Sequence, residues 1–298
     1  MFPIIPANTV TAASGNDEGI FGFGTSAGGV QSLTNLISNA GVVSSDVAGV
    51  GTARYNATAC EYGGDKGIFG YGNAGGRVSM TNLVSNAGVV SSDVAGVGTA
   101  RSSPAGCEYG GDKGIFGFGN DGSGSTTANT NLVSNAGVVT SDVAGVGTAR
   151  RSVQACEYGG DKGIFAYGYN AGSGDVSMSN LVSNTGVVGT DVAGVGTARN
   201  SLAACGYGGD KGIFGFGGGP LSITNLVSNA GVVASDTAGV GTARYGIAAC
   251  EYGGDKGIFS FSKNNHVTNL VSNAGVVASD TAGVGTARYN MNGACSFN

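Results

Sequence analysis

One string, GIFGFG or a close variant, starts at Gly19, Gly67, Gly114, Gly163, Gly212 and Gly257, so the chain must fold as six copies of one part. A second string, NLVSNAGVV or a near copy, starts at Asn35, Asn82, Asn131, Asn180, Asn225 and Asn269. A third, AGVGTAR, ends at Arg54, Arg101, Arg150, Arg199, Arg244 and Arg288, and these arginines are 47, 49, 49, 45 and 44 residues apart. Repeats of this length bury their apolar surface against their neighbours, so 298 residues need not divide into two domains.

Each unit reads as strands. Between residues 55 and 102 they are ATACEY, KGIFGYG, VSMTNLVSNAGVV and VAGVGTAR, separated by GGD, an Asn- and Gly-rich loop, and SSD. Such separators supply tight turns and positive φ. No segment sustains apolar residues at 3.6-residue spacing, which disfavours helix. A period of about 40 to 50 residues made of four short strands is that of propeller blades. The expected fold is therefore all-β: a six-bladed β-propeller of four-stranded antiparallel blades, with the propeller over residues 15–298 and an arm or extra strand over 1–14. The ends support closure. The last segment, ARYNMNGACSFN, matches the start of a unit, ARYNATACEYG, while the prefix PANTVTAASGNDE lacks the Arg and Cys. Residues 289–297 are expected to give the innermost strand of a blade whose other strands come from the N-terminal region, which removes open sheet edges.

Composition excludes several classes. The 59 glycines in a chain that is 41% hydrophobic suit many turns and short strands rather than disorder. A net charge of −5 without a basic run argues against nucleic acid. The apolar stretches fall far short of the roughly 18 to 20 residues that cross a bilayer, so no membrane insertion is expected. The start, MFPIIPANTVTAASG, lacks a basic n-region and a continuous apolar h-region, so standard signal-peptide export is not expected.

The order Arg, variable residues, a small-residue strand with Cys, a Gly-Gly turn and an Ile-Phe-Gly strand, here ARYNATACEYGGDKGIFGYG, resembles the kelch repeat, and it recurs in all six units. There are departures. The doublet that normally ends the second strand is Gly-Phe-Gly or Gly-Tyr-Gly, and the usual Trp is absent, with Val89 and its equivalents nearby. Regular GIFGYG and NLVSNAGVV repeats also resemble virion-associated proteins of tailed bacteriophages, which implies a virion location, synthesis in the host cytoplasm and other virion proteins as partners.

The connections fall into two sets. GGDK and SDVAG or SDTAG barely change between units, whereas the loops after GIFGFG (TSAGGVQS, NAGGRVSM, NDGSGSTTANT, YNAGSGDVSM, GGPLSI, SKNNHV) and those after the repeat arginine differ in every unit. In an antiparallel four-stranded blade these sets occupy opposite faces, so variation collects on one face, the expected binding surface. Its candidates are Tyr55, Arg77, Arg151, Tyr169, Tyr245, Lys263, His266 and Tyr289, whose aromatic rings and charged donors suit a polar partner such as a glycan or another protein.

Recurrent charges read as structural. Asp46, Asp93, Asp142, Asp191, Asp236 and Asp280 suit turn caps, and each repeat arginine suits a bridge to an adjacent blade. The ligand density of a calcium loop is missing, so no metal is expected. Asp65 and Lys66 and their counterparts fit solvated turns. Cys60, Cys107, Cys156, Cys205, Cys250 and Cys295 read as buried thiols, because neighbours could bridge only within the ~7 Å Cα limit.

One His in the chain argues against His-based triads and multi-His metal sites. Asp121 and Asp175 are the only carboxylates in the variable loops, and no asymmetric cluster of carboxylates breaks the repeat pattern as a two-carboxylate hydrolase would need. The expectation is a non-enzymatic structural and binding module without cofactor, a phage tail, fibre or capsid-surface component that assembles with virion proteins and touches host-surface glycans. The alternatives are a free-standing multivalent lectin and, behind it, a glycoside hydrolase.

Overall fold

The computed structural model describes residues 17–262 and 265–297; the expected arm over 1–14 lies outside them. The described residues contain no helix, and their strands form small antiparallel sheets. Six of these sheets have three strands, one per sequence unit. The first joins Ala294–Phe297, Glu18–Gly22 and Thr34–Ile37; the second joins Thr58–Tyr62, Lys66–Gly70 and Thr81–Val84. The third to sixth repeat this arrangement around Lys113–Gly117, Lys162–Ala166, Lys211–Gly217 and Lys256–Ser260. The first sheet thus takes a strand from each end of the chain, with Ile20 opposite Cys295.

The middle strand explains the GIFG string. In the second sheet Ile68 and Phe69 are both fully buried, although they point to opposite faces, so both faces are covered. Contacts repeated between successive sheets provide that cover. Cys295, Cys60, Cys107, Cys156, Cys205 and Cys250 stand against Gly67, Gly114, Gly163, Gly212, Gly257 and Gly19 of the next sheet, where a Cβ would lie 2.4–2.8 Å from the thiol sulfur. The glycines are notches for the thiols. Edge-on aromatic pairs Phe23–Phe69, Tyr71–Phe116, Phe118–Phe165, Tyr167–Phe214, Phe216–Phe259 and Phe261–Phe21 follow, with centroids 5.1–5.4 Å apart. In both sets the sixth contact runs from the sixth sheet to the first.

The fourth strand differs from expectation. The turn after the third strand is Ser38–Gly41, not SSD, and AGVGTAR does not form a strand in its own sheet. After the turn the chain meets the third strand only at Ile37↔Val43 and Thr34↔Val47. Three steps on one side face four on the other, a bulge that breaks the ladder. Ser44 fills the break: its Oγ accepts from Leu36 N at 2.9 Å, and its N donates to Leu36 O at 2.8 Å.

AGVGTAR instead crosses to the next unit. Thr52 donates to Asp93 from its backbone N (3.0 Å) and from its hydroxyl (2.6 Å), while Asn82 Nδ2 donates to Asp93 Oδ1 (2.9 Å). Arg54 Nη2 donates to Asn82 Oδ1 (2.6 Å), and Arg54 itself is fully buried. Equivalent clasps join Thr99, Thr148, Thr197 and Thr242 to Asp142, Asp191, Asp236 and Asp280. The sixth joins Thr286 to Asp46, with Arg288 bonded to Asn35. Burial works against ionisation of these aspartates, but the Thr and Asn donors and the neighbouring guanidinium hold all six below the usual carboxylate value. Burial also lowers the Arg54, Arg150, Arg244 and Arg288 guanidinium values to about 10.

Candidate functional site

In four units the residue after a repeat arginine forms a short antiparallel pair with the residue after a G-(F/Y)-G segment. Tyr55 bridges Asn73, Ser102 pairs with Asn120, Arg151 bridges Tyr169, and Tyr289 bridges Thr25. The next residue, Asn56, Ser103, Ser152, Ser201, Gly246 or Asn290, has positive φ, between 52 and 64°. This turn lets units bond to one another through the backbone. Asn56 N donates to Asn290 O, Ser103 N to Asn56 O, Ser152 N to Ser103 O, and Gly246 N to Ser201 O, at 2.8–3.0 Å. Five of the six turns keep a polar side chain where glycine is easiest.

Around these turns lies a depression of about 370 Å³ lined by Asn56, Ser102, Ser103, Asn120, Arg151, Ser152, Tyr169, Asn200 and Ser201. Its lining is hydroxyl and amide, with one cation and one phenol. The guanidinium carbon of Arg151 lies 4.8 Å from the Tyr169 ring centroid. Arg77 reaches its edge, donating from Nη2 to Asn120 Oδ1 at 3.0 Å. Asp175, the ladder partner of Tyr169, accepts from Asn200 Nδ2 at 2.6 Å.

The predicted binding residues are only partly gathered there. Arg151 and Tyr169 line the depression and Arg77 borders it. Tyr55 and Tyr289 occupy the equivalent ladder positions of other units. Tyr245 lines a second depression of about 210 Å³ with Pro220, Ser262 and Asn265. His266 sits under the crossing segment of its own unit, its carbonyl against Gly283. Lys263 lies outside the described residues. Asp121 caps its own turn, accepting from Ser123 N and Oγ and from Ser125 N.

The GGD turns mark another region. A Cβ on Gly63 would meet Asn135 O of the next unit's SNAG turn at 3.1 Å, and Gly110, Gly159, Gly208 and Gly253 repeat the contact. Asp161 and Lys162 pair there at 2.6 Å across largely solvated side chains, as do their counterparts. Between these turns is a cavity of about 230 Å³ lined by Glu61, Glu108, Glu157, Glu251 and Ser296. Sequence reasoning passed over these glutamates, because each looks like one polar residue at the end of a strand. Burial, then the neighbouring carboxylates, pushes Glu108 and Glu251 up to about 9 and Glu157 up to about 7. Gly206 replaces Glu in the fifth unit, where a Cβ would lie 2.6 Å from Glu251 Oε2. A narrower cavity continues from the glutamates past all six cysteines to Thr58, Gln154 and Asn292. Each thiol is free and buried, and burial pushes all six up. Among the described residues no group of three or more His, Cys, Asp or Glu is arranged to hold a metal ion.

No family model matches this chain, and no curated protein sequence matches it.

Proposed function

We propose that the six sheets are the blades of a closed, kelch-like six-bladed propeller, and that the chain is a non-catalytic binding and assembly module of a phage virion. The closure reading is supported by the strand that Ala294–Phe297 adds beside Glu18–Gly22, and by the clasp from Thr286 to Asp46. A scaffold fixed at six repeated clasps suits a module that presents loops rigidly.

The functional reading rests above all on one observation: the loops that vary between units line a polar depression, while the conserved strings are spent on packing and clasps. Hydroxyls, amides, an aromatic ring and a guanidinium suit a glycan, which presents hydroxyls to bond and a pyranose face to stack. The virion setting follows the bacteriophage resemblance of the repeats. A binding role rather than turnover is favoured by Asp121, which is occupied in capping its own loop.

Two measurements test this reading together. The purified chain applied to a glycan array should bind saturably, and antibody raised against it should label purified phage particles. A chain that binds no saccharide and labels no particle would overturn the reading.

A further inference from the structure

We infer that the depression around Arg151 takes an acidic saccharide, a sugar bearing a carboxylate such as a uronic or sialic acid, at one site per chain. The inference rests on the glycan-binding reading and narrows it. The ladder position after the repeat arginine is Tyr55, Ser102, Arg151, Asn200, Tyr245 or Tyr289, so the repeat places a cation there once. No carboxylate lies within ion-pair distance of the Arg151 guanidinium among the described residues, whereas Arg54, Arg101, Arg150 and Arg244 each have one. Its other neighbour is the Tyr169 ring, which holds the planar fork in place without using its N–H donors.

A carboxylate placed on that fork would be held by paired charge-assisted hydrogen bonds. The rest of the sugar would then lie over the hydroxyls of Ser102, Ser103, Ser152 and Ser201 and the amides of Asn56 and Asn120, which line the same depression. Ser103, Ser152 and Ser201 keep their side chains at φ 54, 52 and 53°. Asp175 limits the charge the site accepts. It stands beside Tyr169 in the ladder and engages Asn200, so one carboxylate is favoured over a polyanion. The depression lies within the roughly 300–1,000 Å³ typical of small-molecule sites.

The test is calorimetric titration of the full chain with glucuronic acid, N-acetylneuraminic acid, methyl glucuronate methyl ester and glucose 6-phosphate. At least one of the two acids should bind with a stoichiometry of one and weaken as salt is raised, and the ester should bind more weakly. Arg151→Gln should reduce that affinity roughly ten- to hundredfold. Tyr169→Ala should reduce it several-fold, and Lys211→Gln should leave it unchanged. Equal melting temperatures for Arg151→Gln and the parent would show that the loss is local. Equal binding of ester and acid, or no effect of Arg151→Gln, would overturn the acidic-sugar assignment and leave glycan binding standing. Tighter binding of glucose 6-phosphate would overturn the carboxylate in favour of a phosphate. Failure of every saccharide, on the array as well, would overturn both this inference and the glycan reading.

Discussion

Arg54 places its guanidinium carbon 4.0 Å from the centroid of the Phe23 ring, and Phe23 holds a left-handed backbone at φ 64°. A bulky aromatic residue is rare in that region, because its Cβ crowds the backbone. Here it recurs at Tyr71, Phe118, Tyr167, Phe216 and Phe261, each under a repeat arginine and edge-on to a ring of the next sheet. The left-handed turn ends the middle strand and delivers the ring to the sheet interface, and two contacts per ring hold it there.

Phe118 measures that strain. Replacing it with Ala removes a buried ring and should cost about 3–5 kcal/mol. Phe118→Gly removes even more, yet should cost about 1 kcal/mol less than Ala, because φ 63° is a left-handed backbone that costs a residue with a Cβ roughly 1–2 kcal/mol, more than glycine's extra entropy of about 0.5–1 kcal/mol. Urea unfolding of the two variants checks the order; the reverse order would show that the backbone there is unstrained.

Gly67 and Cys295 should behave as a lock. A Cβ on Gly67 would stand 2.4 Å from the sulfur, so Gly67→Ala should cost about 1–3 kcal/mol by overpacking. Cys295→Ala alone should cost less. The double variant should recover most of the Gly67→Ala loss, a coupling of about 0.5–3 kcal/mol, because the remaining contacts, 3.5 Å to Val84 Cβ and 3.7 Å to Cys295 Cβ, are ordinary. Additive losses would contradict the notch.

The clasps should be energetically equivalent. Asp142→Ala leaves Thr99, Asn131 and Arg101 without their shared acceptor and should cost about 2–4 kcal/mol. Asp46→Ala, which breaks the clasp between the last unit and the first, should cost the same within about 1 kcal/mol. A negligible cost at Asp46 alone would show that the ends are not joined.

Stability should fall on both sides of mildly acidic pH. Glu108, Glu157 and Glu251 titrate higher in the folded chain than in the unfolded one, so the folded state binds more protons. Their contribution is complete below the ordinary carboxylate value and is lost as pH rises through about 7 and then about 9. The six clasp aspartates titrate lower when folded, so their contribution is present above the ordinary aspartate value and is lost as pH falls through the folded one. Melting temperature against pH should therefore decline toward pH 9, and Glu108→Gln with Glu251→Gln should flatten that limb. A parent curve already flat from pH 6 to 9 would contradict the buried carboxylates.

Much of this was legible in the sequence. Periodicity marked the middle strand, expected over KGIFGYG and found at Lys66–Gly70, and the third, expected over VSMTNLVSNAGVV but confined to Thr81–Val84, because both strings recur between turn residues in every unit. The periodic cysteines read as buried thiols because their spacing left bridging to a small radius, and they are free and buried. The fourth strand was misplaced because VAGVGTAR recurs after a turn-like SSD and carries β-branched Val and Thr, while its partners, Asp93 and Asn82, lie about 30 to 40 residues away in the next unit. The left-handed aromatics were hidden, since GFG looks like strand with a flexible end. The depression was legible only as a set of loops; that Arg151 and Tyr169 share it with Asn56 and Ser201 depends on how units meet.

The proposed closure is tested most directly by distances between spin labels on the exposed turns that follow the third strands, since the six native thiols are buried and resist labelling. Val42, Val89 and Val276 occupy equivalent positions and are 64–65% exposed. Double electron–electron resonance on Val42→Cys/Val89→Cys reports neighbouring units, and Val42→Cys/Val276→Cys reports the first and the last. The account predicts the same distance distribution for both pairs; a first-to-last distance several times the neighbour distance would mean an open stack and would contradict it.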